Sequence, residues 1–143
     1  MKNFLIALFF CLTAISFYAN AQATNDILIG GGLDVVKTDN VKVFDKAQIG
    51  FEANYFIQRR FAIGAGLEIW TRQRNSFVMG VRWYANDNIF LRFRGLIGAN
   101  DASFGAGYSK PIGKNWRFEA LGDFFFDSQR FALRGGLSYV IRR

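Results

Sequence analysis

Residues 51–70 read FEANYFIQRRFAIGAGLEIW. Every second residue before the QRR triplet is apolar: Phe51, Ala53, Tyr55 and Ile57. The same holds after it, at Phe61, Ile63, Ala65, Leu67 and Ile69. The intervening positions include Glu52, Asn54, Gly64, Gly66 and Glu68. A period of two on both sides of a short polar break is the pattern of two antiparallel strands joined by a tight turn. Each strand then has one greasy face and one small or polar face.

The unit recurs in both directions. Polar clusters at 37–46, 58–60, 71–75, 85–88, 99–102, 112–115 and 127–130 punctuate the chain. They predict eight strands, at roughly 27–36, 47–57, 61–70, 76–84, 89–98, 103–110, 116–126 and 131–141. Strands near ten residues exceed the usual soluble length and suit a tilted strand that crosses a bilayer.

Sorting by parity separates the chemistry. One face carries Ile29, Leu33, Phe51, Leu67, Met79, Phe93, Phe104, Phe118, Leu133, Leu137 and their like, without a charge until Lys110 beside Pro111. The other carries Asp34, Glu52, Glu68, Glu119 and Asp123 against Arg82, Arg92, Arg94, Arg117 and Arg134. Five acids face five bases, so this face is neutral, and most of the remainder is glycine or another small residue. A soluble barrel would turn the greasy face inward. The interior of an eight-stranded barrel is barely wide enough for side chains, and so many large apolar residues do not suit it. With the greasy face toward lipid, the absence of charge follows, because an Arg or Lys near the bilayer midplane costs about 2–4 kcal/mol. The fold class expected is therefore all-β: an eight-stranded antiparallel up-and-down transmembrane β-barrel with a lumenal charge network. Aromatics near strand ends, namely Tyr55, Trp70, Trp83, Tyr84, Tyr108, Trp116 and Tyr139, are expected as girdles at the membrane interfaces.

The N-terminus fits that destination. MKNFLIALFFCLTAISFYANAQA has one cation, Lys2, an apolar run to Phe17, and small residues at 19, 21 and 23. This is the layout of a secretory signal, with cleavage expected near 21–23 and a single barrel domain at 24–143. The run is shorter than a spanning helix of about 20 residues. Cys11 would leave with it, so the exported domain would have no cysteine, and the chain has no histidine.

Beyond pattern, YFIQRRFAIGAGLEI (55–69), YSKPIGKNWRFEA (108–120) and RGGLSYVI (134–141) resemble the strand-turn-strand units and closing strand of the small eight-stranded outer-membrane barrels of Gram-negative bacteria, of the OmpX and OmpA-transmembrane-domain type. The resemblance implies an outer-membrane location and contact with outer-membrane lipid and lipopolysaccharide. It implies handling by the barrel-assembly machinery, which reads a terminal aromatic. This chain ends YVIRR (139–143), leaving Tyr139 for that part. It also implies periplasmic turns at 58–60, 85–88 and 112–115, with outer loops at 37–46, 71–75, 99–102 and 127–130 that are mostly shorter than those of OmpX-like barrels.

The chemistry that the residues exclude is equally informative. Without histidine, the usual base for activating a hydroxyl is missing, so no catalytic residue is assigned and an enzyme is not expected. No cofactor or metal site is assigned. Gly30-Gly31-Gly32 has no following helix and no Lys-Ser/Thr tail for a phosphate loop. The net charge of +7 belongs largely to turns and the C-terminus. Nucleic acid is not the expected partner; anionic lipid at the rim, at Arg59, Arg60, Arg72 and Arg74, suits it better. No small-molecule substrate is identified. A structural or surface-interaction role is expected, with the loop at 37–46 as the best candidate contact. A narrow channel for small solutes and a soluble periplasmic barrel carrying an apolar ligand are the alternatives.

Overall fold

A computed structural model describes residues 23–37, 48–71 and 74–143. The signal segment, most of the first loop and Arg72 lie outside the described residues. Eight strands form: β1 Ile27–Lys37, β2 Gln48–Gln58, β3 Phe61–Trp70, β4 Ser76–Tyr84, β5 Ile89–Ile97, β6 Asp101–Pro111, β7 Trp116–Phe125 and β8 Arg130–Ile141. Each pairs antiparallel with the next, and β8 returns to pair with β1, closing the barrel. Closure pairs the polar edges of the first and last strands, as a lipid environment demands.

The short polar breaks make the turns. Between β4 and β5 the Asn86 side-chain oxygen accepts from the N–H groups of Asn88 (2.9 Å) and Ile89 (2.8 Å), the local capping that favours asparagine in turns. At the other end Gly98 adopts φ +116°, a conformation that glycine enters without a side-chain penalty. Asp101 binds the β7–β8 turn, accepting from the Asp127 N–H at 2.9 Å and the Ser128 hydroxyl at 2.8 Å. The turns 58–60, 85–88 and 112–115 lie at the end that holds the chain termini; those at 98–100 and 126–129 lie at the opposite end.

Alternation along the strands sorts the side chains as the period of two requires. Leu33, Phe51, Leu67, Met79, Phe93, Phe104, Phe124, Leu133 and Leu137 stand on the outside, between 42% and 56% exposed. The interior is not uniform. Leu28, Phe56, Ala62, Tyr84, Phe90, Leu121 and Val140 pack into one apolar cluster on the side of the termini. Trp70, Val78, Leu96, Phe125 and Ala132 pack into a second on the opposite side. Between them lies the charged middle.

Two of the aromatics expected at the membrane interface are thereby corrected. Trp70 is 6% exposed and Tyr84 is fully buried, both inside the barrel. Their parity puts them on the inner face, and side-chain direction overrides nearness to a strand end. Tyr55, Trp83, Tyr108, Trp116 and Tyr139 are on the outside. All five stand at the end of the barrel that carries the termini, whereas the exposed aromatics at the opposite end, such as Phe77, Phe126 and Phe131, are phenylalanines.

Candidate functional site: the lumenal charge layer

The charged layer is built by seven strands. Asp34 comes from β1, Glu52 from β2, Glu68 from β3, Arg82 from β4, Arg92 and Arg94 from β5, Glu119 and Asp123 from β7, and Arg134 from β8. Glycines opposite them supply the room. A Cβ on Gly50 would strike the Arg134 guanidinium, and one on Gly105 would strike the Asp123 carboxylate. At Gly80 it would come within 2.9 Å of the Arg94 side chain and 2.5 Å of the Phe93 carbonyl oxygen. The glycine-rich inner face is the mould of the long arginines.

Glu68 is the hub. Its carboxylate accepts from Arg134 Nη1 at 2.7 Å and Nη2 at 2.8 Å, a two-pronged pairing that fixes orientation as well as charge. It also accepts from Arg94 and from the Gln48 amide. Arg134 reaches on to Asp34 through Nε, at 2.6 Å. Arg94 reaches Asp123 at 3.1 Å, and Asp123 also receives Arg92, through Nε at 3.0 Å and through Nη2. Arg82 donates to Glu119 at 2.8 Å. Glu52 closes the circuit more loosely, at 3.5 Å from Arg82, 3.6 Å from Arg92 and 4.0 Å from Arg94, with its side chain 16% exposed. Buried charges are tolerable when each is paired and hydrogen-bonded, and every member of this layer has a partner of opposite sign.

The layer holds four bases against five acids, because Arg117 does not join it. Its guanidinium lies at the terminal mouth and donates to the Ser109 hydroxyl (2.8 Å), the Ser109 carbonyl (2.9 Å) and the Asp87 carbonyl (2.6 Å). Parity gives Arg117 the inner face, but its place next to the first residue of β7 sets it at the rim.

Sequence reasoning passed over Arg130, which starts β8 one residue before the expected strand. It is buried, its guanidinium carbon 4.3 Å from the Trp70 ring centre and 4.9 Å from that of Phe125. Trp70 and Phe125 meet edge to face at 6.3 Å. At the other end Arg82 lies 4.4 Å from the Phe90 ring centre and donates to the Tyr84 hydroxyl at 3.3 Å. Tyr84 in turn packs between Phe56 and Phe90, at 5.7 and 5.2 Å. These arginine–aromatic contacts are attractive through the ring quadrupole; through Arg82 they couple the charged layer to the apolar cluster on the side of the termini. The inner-face period would have found Phe56, Phe90 and Phe125 as lumenal.

Little empty space remains. The cavity among Glu52, Glu68, Arg82, Arg92, Arg94 and Arg134 measures about 20 Å³. One water molecule needs roughly 10–15 Å³ by the same kind of measure. Among the described residues no group of three or more His, Cys, Asp or Glu side chains is arranged to hold a metal ion.

No protein-family model matches the chain, and no curated protein does either. Solved structures do. One from work on the de novo design of transmembrane β-barrels superposes with a TM-score of 0.65 at 14% identity, covering 85% of this chain and 99% of that one. The solution NMR structure of the designed barrel TMB2.3 gives 0.58 at 18% identity, over 88% of this chain and all of the other. The outer membrane protein OprG from Pseudomonas aeruginosa gives 0.48 at 6% identity, over 88% of this chain and 100% of that one. The designed barrels share the fold: eight antiparallel strands closed as in transmembrane β-barrels.

Proposed function

We propose that the chain is an integral outer-membrane barrel with a structural or surface-interaction role, and that its lumen is a plug. The observation that carries this reading is the stack inside the barrel: an apolar cluster, a paired charge layer with about 20 Å³ of free volume, and a second apolar cluster. A conducting path needs continuous water, and the charged layer has room for about one molecule. Apolar side chains fill the barrel on either side of that layer, which counts against a soluble carrier of an apolar ligand. The apolar, charge-poor outer surface supports burial in lipid. Outer-membrane lipid, lipopolysaccharide and the barrel-assembly machinery are the partners this reading assigns, with the secretory leader as the route out. No catalysis is assigned.

Membrane fractionation, followed by gel mobility with and without boiling in detergent, tests it. Recovery in the outer membrane with a band that shifts on heating is expected. Release by carbonate into the soluble fraction, with no shift, would overturn it.

A further inference from the structure

The barrel end that carries the termini is basic as well as aromatic. A groove of about 590 Å³ opens there, between the β6–β7 turn and the last residues of the chain. Arg59, Lys114, Arg117, Arg142 and Arg143 line it together with Trp116. Five basic side chains face one acidic side chain, Asp26, which accepts from the main-chain N–H of Arg143 at 3.4 Å. Two of the guanidiniums are held by neutral oxygens: Arg117 by Ser109 and the Asp87 carbonyl, Arg142 by the Lys114 carbonyl at 3.0 Å. Among the described residues neither makes a salt bridge, so both are positioned by neutral oxygens.

The depth of the groove is marked by its neighbours. Trp116 packs edge to face on Tyr139 at 5.1 Å, and the Tyr139 hydroxyl accepts from the Asn115 amide at 3.1 Å. Tryptophan and tyrosine with one wet end settle at the headgroup level of a bilayer. A cationic groove at that level is complementary to phosphate. We infer that this groove seats the phosphate of an anionic phospholipid drawn from the leaflet that surrounds the terminal end of the barrel. The inference rests on the membrane-embedded reading above and adds to it a lipid class, a leaflet and a set of residues.

Native mass spectrometry of the folded barrel, released from detergent micelles supplied with equal phosphatidylglycerol and phosphatidylcholine, tests it. The wild-type chain is expected to retain phosphatidylglycerol in preference. The triple variant Lys114→Gln, Arg142→Gln, Arg143→Gln should lose that preference by at least about tenfold. Arg74→Gln, at the opposite rim, should keep it. Equal retention of both lipids by the wild type, an unchanged preference in the triple variant, or an equal loss in Arg74→Gln would each overturn the site. Inorganic phosphate at constant ionic strength is expected to leave the bound lipid in place; displacement would make the groove a site for free phosphate instead. The same samples run unboiled report barrel closure separately. A heat-shifted band without lipid preference overturns the headgroup site alone, whereas no shift overturns the membrane barrel and the site with it.

Discussion

Single carboxylates in the lumen are not equivalent. Glu68 is 1% exposed in its side chain and satisfies two arginines and Gln48, whereas Glu52 is partly wet and sits at 3.5 Å or more from each of its three arginines. Removing one partner of a tight buried pair typically costs about 3–5 kcal/mol, because the other charge is stranded. Glu68→Gln should approach that loss, and Glu52→Gln should cost about 1 kcal/mol, in the range of looser ion pairs. The urea midpoint of the heat-shifted gel band reads both; equal costs would mean that the layer shares charge diffusely. A second residue-level outcome concerns the tryptophans. In chains keeping one tryptophan each, brominated lipid should quench Trp83 and Trp116, which stand 44% and 50% exposed, and leave Trp70 bright. Trp70 shows where a sequence reading loses its way: composition near a strand end suggested the membrane interface, while the period of two pointed inward, and the period prevailed.

At the scale of the strand, most of the architecture was legible. Expected and observed ends differ by two residues or fewer, because polar clusters such as QRR and ANDN interrupt an otherwise unbroken alternation. Parity alone could not show depth. Leu28, Phe56, Phe90, Leu121, Phe125 and Val140 share the inner face with the charges, and only pairing across the barrel reveals that they gather above and below them. Arg117 fell out of the layer for the same reason: alternation gives a side, and the rim is a matter of height. Height also governs the outer face. Ala65, at the middle of β3, and Ile57, near the end of β2, both point outward. Ala65→Arg should destabilise by about 2–4 kcal/mol and Ile57→Arg by about 0–1 kcal/mol, following the depth dependence of charge in lipid. Equal losses for the two in the same unfolding measurement would mean that the membrane does not lie where the strands place it.

For the whole molecule, the layered filling makes a statement about permeability that no one arginine controls. Arg94→Ala opens room in the charged layer, but Phe90 and Phe125 still lie in the apolar clusters at either side. Planar bilayers should show no discrete conductance steps for the wild type or for Arg94→Ala. Steps are expected only when Phe90→Ala and Phe125→Ala are added, with the heat-shifted band checking that the barrel still closes. Conductance from Arg94→Ala alone would mean that the charge layer by itself is the seal.

The seam between β1 and β8 carries a further consequence, one of time. Arg134 on the last strand bonds Asp34 on the first and Glu68 on the third, across sequence separations of 100 and 66 residues. Until β8 docks, the sheet has an open edge, and Asp34 and Glu68 each lack the Arg134 guanidinium. Pairing over such spans is intrinsically slow. Docking of β8 therefore pairs the backbone edge of β1 and adds the fourth base of the charged layer together. A chain arrested before β8 would be an unclosed curl with an acidic inner surface, held for whatever supplies the missing edge.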